Sequence, residues 1–138
     1  EMLGGRAGVR RAVSTQFELA EAVGQGFATK ALDAVKRELG LTDAGLAVAL
    51  GVSPKTIGRL RKTPKQHLDA LISDRLYRFA RLMALATSVF EDKAAAREWL
   101  TSPQVGLKGK EPLDLASTEA GAREVEDLLG RIEHSVLA

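Results

Sequence analysis

The chain has 138 residues, 45% of them hydrophobic, enough to bury the interior of one ordinary domain or of two small ones sharing a core. It has no cysteine, and its two histidines, His67 and His134, lie far apart, which excludes disulfides and thiolate metal sites and leaves redox and zinc chemistry unsupported. The net charge of +2 conceals an asymmetry: residues 1–65 carry eleven Lys/Arg and six Asp/Glu, net +5, whereas residues 66–138 carry nine and twelve, net −3, so the halves are expected to face different partners.

No apolar run approaches the roughly 20 residues of a membrane helix, and no apolar signal segment stands near the start, so a cytoplasmic protein without membrane contact is expected. Residue 1 is Glu rather than Met, as expected of a trimmed start. Apolar residues recur at spacings of three and four, Ala and Leu abound, and no segment alternates like a half-buried strand; the fold class is all-α.

In chain order, residues 1–16 are expected to be mobile. "TQFELAEAV" places Phe17, Leu19, Ala20 and Val23 for a short helix ended by Gly24 and Gly26. "ATKALDAVKREL" puts Ala31, Leu32, Val35 and Leu39 on one side, with Gly40 as a left-handed cap. Thr42 can cap a third helix, "DAGLAVAL", that stops at Gly51, and Ser53 a fourth, whose first turn suits Pro54 because the missing amide has no helical partner there.

From Leu68 to Phe90 helical spacing persists over several turns and predicts the central support of the core, although Ser73 could cap a new helix after a break. "KAAAREWL" is a compact helix ending near Pro103, with Trp99 expected in the core where the two parts of the chain meet. Residues 104–110 read as a loop and "PLDLA" as one turn. A last helix, capped by Thr118 or Ser117, follows from residue 119, with Leu128, Leu129 and Ile132 closing the core.

The segment "LTDAGLAVALGVSPKTIGRL" has the layout of a helix-turn-helix: Leu46, Ala47 and Leu50 face Val52, Ile57 and Leu60 across a turn at Gly51. With Ile57 and Leu60 inward, Pro54, Lys55, Gly58 and Arg59 must face outward, beside the free amides of the helix start. Between Asp43 and Asp69 there is no carboxylate. Such a surface suits DNA: Lys55 and Arg59 would reach base edges in the major groove, Thr42, Ser53 and Thr56 would suit the start of the site, and Arg61, Lys62 and Lys65 would extend the positive field. A solvated helical hairpin without a ligand is the alternative.

The last forty residues carry a more specific pattern: Trp99-Leu100, Pro103, Gly106-Leu107, Gly109, Pro112-Leu113, Leu115, Thr118, Gly121, Val125, Leu129 and Arg131-Ile132-Glu133. In this order and spacing they resemble the C-terminal toxin-binding domain of Xre/MbcA/ParS-type antitoxins. "SDRLYRFARLMALATSVFEDKAAAREWL" resembles the long helix and Trp-Leu helix of that family, and the helix-turn-helix its Xre-like N-terminal part.

The resemblance implies an antitoxin that neutralises a RES-domain toxin degrading NAD and represses its own operon. After the mobile start (1–16), it implies a DNA-binding unit (17–66) and a toxin-binding and dimerisation unit (67–138). It also implies that the C-terminal end sits at the toxin's active-site cleft, which nominates Arg131, Glu133, His134, Val136, Leu137 and Ala138. Gln104 stands where the family often has asparagine, and Ser135 where it often has glycine.

From Glu111 onward seven carboxylates face Arg123 and Arg131, net −5, a complement to a basic cleft that binds a dinucleotide's phosphates. His134 is read as a solvated surface histidine, and no cofactor is expected. Catalysis is not expected, since there is no phosphate loop, dinucleotide fingerprint or metal cluster. The rival reading is a stand-alone helix-turn-helix regulator whose C-terminal half dimerises or senses a ligand. Reading two half-sites one helical turn apart would require at least a homodimer, within a larger complex once toxin is bound.

Overall fold

A computed structural model describes residues 28–62 and 70–137. The expected helix at residues 17–23, and with it His67 and Lys65, lies outside the described residues. Within them the chain is all-α. Helix α1 spans Ala28–Leu39, α2 Asp43–Leu50, α3 Pro54–Lys62, α4 Ala70–Phe90, α5 Lys93–Leu100, α6 Pro112–Leu115 and α7 Glu119–Leu137, with a 3-10 turn at Val105–Leu107.

The turns between helices follow from local chemistry. Thr42 accepts the Gly45 amide at 3.0 Å and starts α2. The chain then turns at Gly51, whose φ of +70° lies in the left-handed region that a side chain at that position would resist. The expected break at Ser73 does not occur. Ser73 lies inside a continuous α4, because Ile72, Leu76, Phe79 and Leu82 form a stripe at helical spacing that packs on neighbours throughout and leaves no exposed turn to end it.

Helix α4 ends on Glu91, a non-glycine residue with a φ of +56°. Asp92 immediately caps α5 by accepting the Ala94 and Ala95 amides at 3.4 and 3.1 Å, so the chain reverses within two residues. Thr118, rather than Ser117, starts α7, accepting the Gly121 amide at 3.0 Å.

Helix α4 is the mast. Helices α1, α2, α5 and α7 pack against it, and α3 packs on α1 and α2. One continuous core joins Ala31, Leu32 and Val35 of α1, Leu46 and Leu50 of α2, Ile57 and Leu60 of α3, Phe79 and Leu82 of α4, Leu100 of α5, and Val125 and Leu129 of α7. Burial of these side chains, each contributing about 1.5–3 kcal/mol, is the main stabilising force.

Three arginines spaced by three along α4 add directional bonds. Arg75 donates to the Leu50 carbonyl at the end of α2. Arg78, only 6% exposed, donates to the Ala116 carbonyl at 2.9 Å, to Glu119 at 3.3 Å and to Asp74. Arg81 reaches Glu119 at 3.3 Å and Glu126 at 2.8 Å. Desolvation lowers the Arg81 pKa, but the charges of Glu126 and Glu119 outweigh it and raise the value above normal. At Glu119 desolvation likewise opposes, and the Arg81 and Arg78 guanidiniums still hold the carboxyl below its usual value.

Candidate functional site

Two surfaces gather the residues that the sequence nominates. The first lies on α2 and α3. Ile57 and Leu60 are buried, and one helical face away Pro54, Lys55, Arg59 and Lys62 are exposed. Ser53 caps α3, its hydroxyl accepting the Thr56 amide at 3.2 Å and lying 3.0 Å from the Thr56 hydroxyl. The capped helix start, two hydroxyls and three cations therefore share one side of α3. Among the described residues no ion pair involves Lys55 or Lys62. This is the surface a recognition helix presents, with a donor-rich N-terminus and long basic side chains able to reach a groove.

Arg61 departs from expectation. Instead of extending the positive field it turns into the fold, donating to Asp33 of α1 and, at 2.8 Å, to Asp43 of α2. The hydrogen bond to Asp33 and the nearby Asp43 raise its pKa. Asp43 is held below the usual carboxylate value, first by Lys36 at 3.1 Å and then by Arg61. The physical reason is proximity: α3 crosses beside two carboxylates, and pairing three helices offsets part of the charge desolvation. Arg61 thus positions α3, leaving Lys55, Arg59 and Lys62 as its outward cations.

The second surface is the end of the bundle where α5, the 104–110 loop and α7 converge. Gln104 and Lys110 pair as a β-bridge that closes the loop, with Gln104 N donating to the Lys110 carbonyl at 3.1 Å. The Gln104 side-chain amide donates to the Trp99 and Ser102 carbonyls at 3.0 and 3.2 Å, so the loop is tied to the end of α5. Trp99 is half-buried rather than a core residue. Its ring packs against Phe90 at 5.7 Å between centroids, because the α4–α5 reversal leaves this corner open on one side.

Helix α7 begins tightly. A Cβ on Gly121 would come within 1.8 Å of the Leu115 carbonyl oxygen, so only glycine lets α6 and α7 meet this closely. Glu119, itself exposed, and the partly buried Glu126 have their charge met by the α4 arginines. Glu124, Asp127 and Glu133 remain exposed, so the outward negative charge of α7 is smaller than the sequence count implies.

Beyond Leu129, the last fully buried side chain of α7 among those described, Arg131, Glu133, His134 and Ser135 are exposed and Ile132 is half-buried, while the backbone stays helical to Leu137. Leu128 and Ile132 are thus only partly covered, and Leu129 alone of the expected three is fully in the core. The side chains of Val136 and Leu137, and all of Ala138, lie outside the described residues.

Sequence reasoning missed Arg75, Arg78 and Arg81, although their spacing along an apolar helix, opposite the seven-residue spacing of Glu119 and Glu126, was a usable signal.

These two surfaces coincide with two family models. Residues 18–81 match the antitoxin Xre-like helix-turn-helix domain, and residues 85–134 match the antitoxin Xre/MbcA/ParS C-terminal toxin-binding domain. An antitoxin Xre of Yersinia enterocolitica is 33% identical over 121 residues, covering 87% of this chain and 81% of that protein. The chain belongs to the Xre antitoxin family. An antitoxin Xre of Pseudomonas putida is 30% identical over 87% of this chain and 74% of its own length, and one of Photorhabdus laumondii 36% identical over 64% and 60%. As an Xre-family antitoxin, the protein joins a helix-turn-helix domain to a C-terminal toxin-binding domain along α4. Among the described residues, no helix is long and apolar enough to cross a membrane.

Proposed function

We propose that this antitoxin neutralises a RES-domain toxin that degrades NAD by placing its C-terminal end at the toxin's active site, and that it represses its own operon through the helix-turn-helix. It acts by binding rather than catalysis, as a cytoplasmic homodimer within a larger toxin–antitoxin complex. Residues 17–66 form the DNA-binding unit and residues 67–138 the toxin-binding and dimerisation unit.

The observation that carries this reading is the projection of α7. From Arg131 to Leu137 the helix continues for about 10 Å past Leu129, its last buried residue among those described, with Arg131, Glu133 and His134 exposed. A helix end that contributes little to its own core suits insertion into a partner's cleft. Arg131, Glu133, His134, Val136, Leu137 and Ala138 make that contact. Thr42, Ser53, Pro54, Lys55, Thr56, Arg59 and Lys62 contact the operator, Lys55 and Arg59 reading base edges.

The test pairs the antitoxin with the purified protein encoded beside it. Wild type is expected to bind that protein in a fixed ratio and suppress its NAD consumption. Deletion of residues 136–138 is expected to relieve inhibition at equal concentration while the melting temperature stays within about 2 °C. A truncated protein that inhibits as well as wild type overturns the tail assignment, and a neighbour that does not bind overturns the neutralisation reading.

A further inference from the structure

At the corner where α4 turns into α5 lies an open hollow of about 280 Å³ lined by Phe90, Ala95, Glu98, Trp99, Ser102 and Gln104. It is smaller than the roughly 300–1,000 Å³ of typical small-molecule sites and open on one side, a size that suits one protruding side chain better than a cofactor. The next residue along the chain from Gln104 is Val105, 96% exposed and the most exposed large apolar side chain among those described.

An exposed valine on a floppy loop would carry little meaning, but this loop is built. Its ends are bridged at Gln104 and Lys110, Leu107 is buried, and Gln104 is tied to the end of α5. Gly106 lies so close to α7 that a Cβ there would meet Leu128 Cδ1 at 2.9 Å. The loop that carries Val105 and, through Gln104, one wall of the hollow is therefore held against α7.

Charge narrows the occupant. The two basic residues of α5 are engaged elsewhere, Lys93 with Glu38 at 2.9 Å and Arg97 with the Glu38 carbonyl at 3.1 Å, so Glu98 is the one charged residue that lines the hollow.

We infer that the Phe90–Trp99 hollow and Val105 form a second anchor for the toxin, separate from the tail: an apolar side chain on the rim of the toxin's cleft, flanked by a basic residue, seats in the hollow while Val105 packs against the same rim. The inference rests on the proposed neutralisation and on the hollow lying within residues 85–134, the span matched to the toxin-binding domain. Rigid apolar residues that bury fully on association are where binding energy concentrates.

The test uses the full chain with Val105→Asp and, separately, Ala95→Arg, which fills the hollow from an exposed helix position. Titration calorimetry against the purified neighbouring toxin is expected to show binding weakened by about tenfold or more in each variant, with melting temperature and operator affinity unchanged. Glu98→Lys is expected to slow association by about threefold, and more at low salt. If wild type binds the toxin and both Val105→Asp and Ala95→Arg bind within twofold of it, the second anchor is wrong although the tail assignment stands. If the variants instead lose self-association with toxin binding intact, the hollow belongs to a second copy of the chain and the inference is likewise overturned. Toxin that fails to bind wild type removes both this inference and the reading on which it rests.

Discussion

The front of the molecule, α1 to α3, and the back, α5 to α7, are fastened to the same mast by different means. In the front, short helices are joined by capped turns, packed through Leu46, Leu50, Ile57 and Leu60, and braced by the half-exposed Arg61 clamp. In the back, a buried arginine reads the end of one helix and the start of the next, and a glycine permits backbone approach that no other residue tolerates. The front therefore tolerates exchange of its outward side chains, which suits a surface that must read different DNA sequences. The back has its geometry specified from within, so that α7 leaves the core in one direction.

This contrast can be broken most severely at Gly121. Gly121→Ala drives a methyl group into the Leu115 carbonyl and is expected to cost about 3 kcal/mol or more, measured by denaturant unfolding. Toxin binding should be lost while operator binding is retained in part. Equal loss of both would mean that front and back unfold as one unit. Next is Arg78→Met, which leaves the Ala116 carbonyl and Glu119 without their buried donor and is expected to cost about 2 kcal/mol.

In the front, Lys55→Ala combined with Arg59→Ala should act chiefly on operator binding, lowering affinity more than about tenfold and reducing the salt slope by about two. Arg61→Leu should do the reverse, costing about 1 kcal/mol of stability and altering the salt slope far less. If Arg61→Leu lowered the slope as much as loss of Arg59, the clamp assignment would fail.

The smallest effect is that of acid. Asp43 in the front and Glu119 in the back are both held below their ordinary pKa values by cationic partners. Their contribution is present above the unfolded value, near pH 4, and is lost as pH falls through the lower folded values. Thermal melts should be insensitive to these two groups between about pH 5 and 7 and decline below about pH 4. In Arg81→Met, Glu119 loses one partner and its folded pKa moves back toward the unfolded value, so the acid decline should become smaller and level off at higher pH, with its onset unchanged.

Much of this was legible in the chain. The limits of α2 and the starts of α3 and α6 follow from Thr42, Gly51, Ser53, Pro54 and Pro112, because caps and turns are set by bonds within a few residues. The outward placement of Lys55 and Arg59 follows from the inward placement of Ile57 and Leu60, since helical periodicity ties one to the other. Arg61 was misread for the complementary reason. Nothing within α3 reveals that Asp33, twenty-eight residues earlier, would stand beside it. The outward acidity of α7 was overstated likewise, because counting charges does not say which of them meet arginines.

Local chemistry, acting over one or two helical turns, was thus enough for the amino-acid order alone to determine the helices, their caps and the cationic face of α3. Which charges cancel, how α6 can touch α7 at Gly121, and that Trp99 borders an open hollow beside Val105 were decided only when α4 brought distant segments together. Long-range contacts depend on how helices cross, and crossing is settled by packing of the whole core rather than by any one segment.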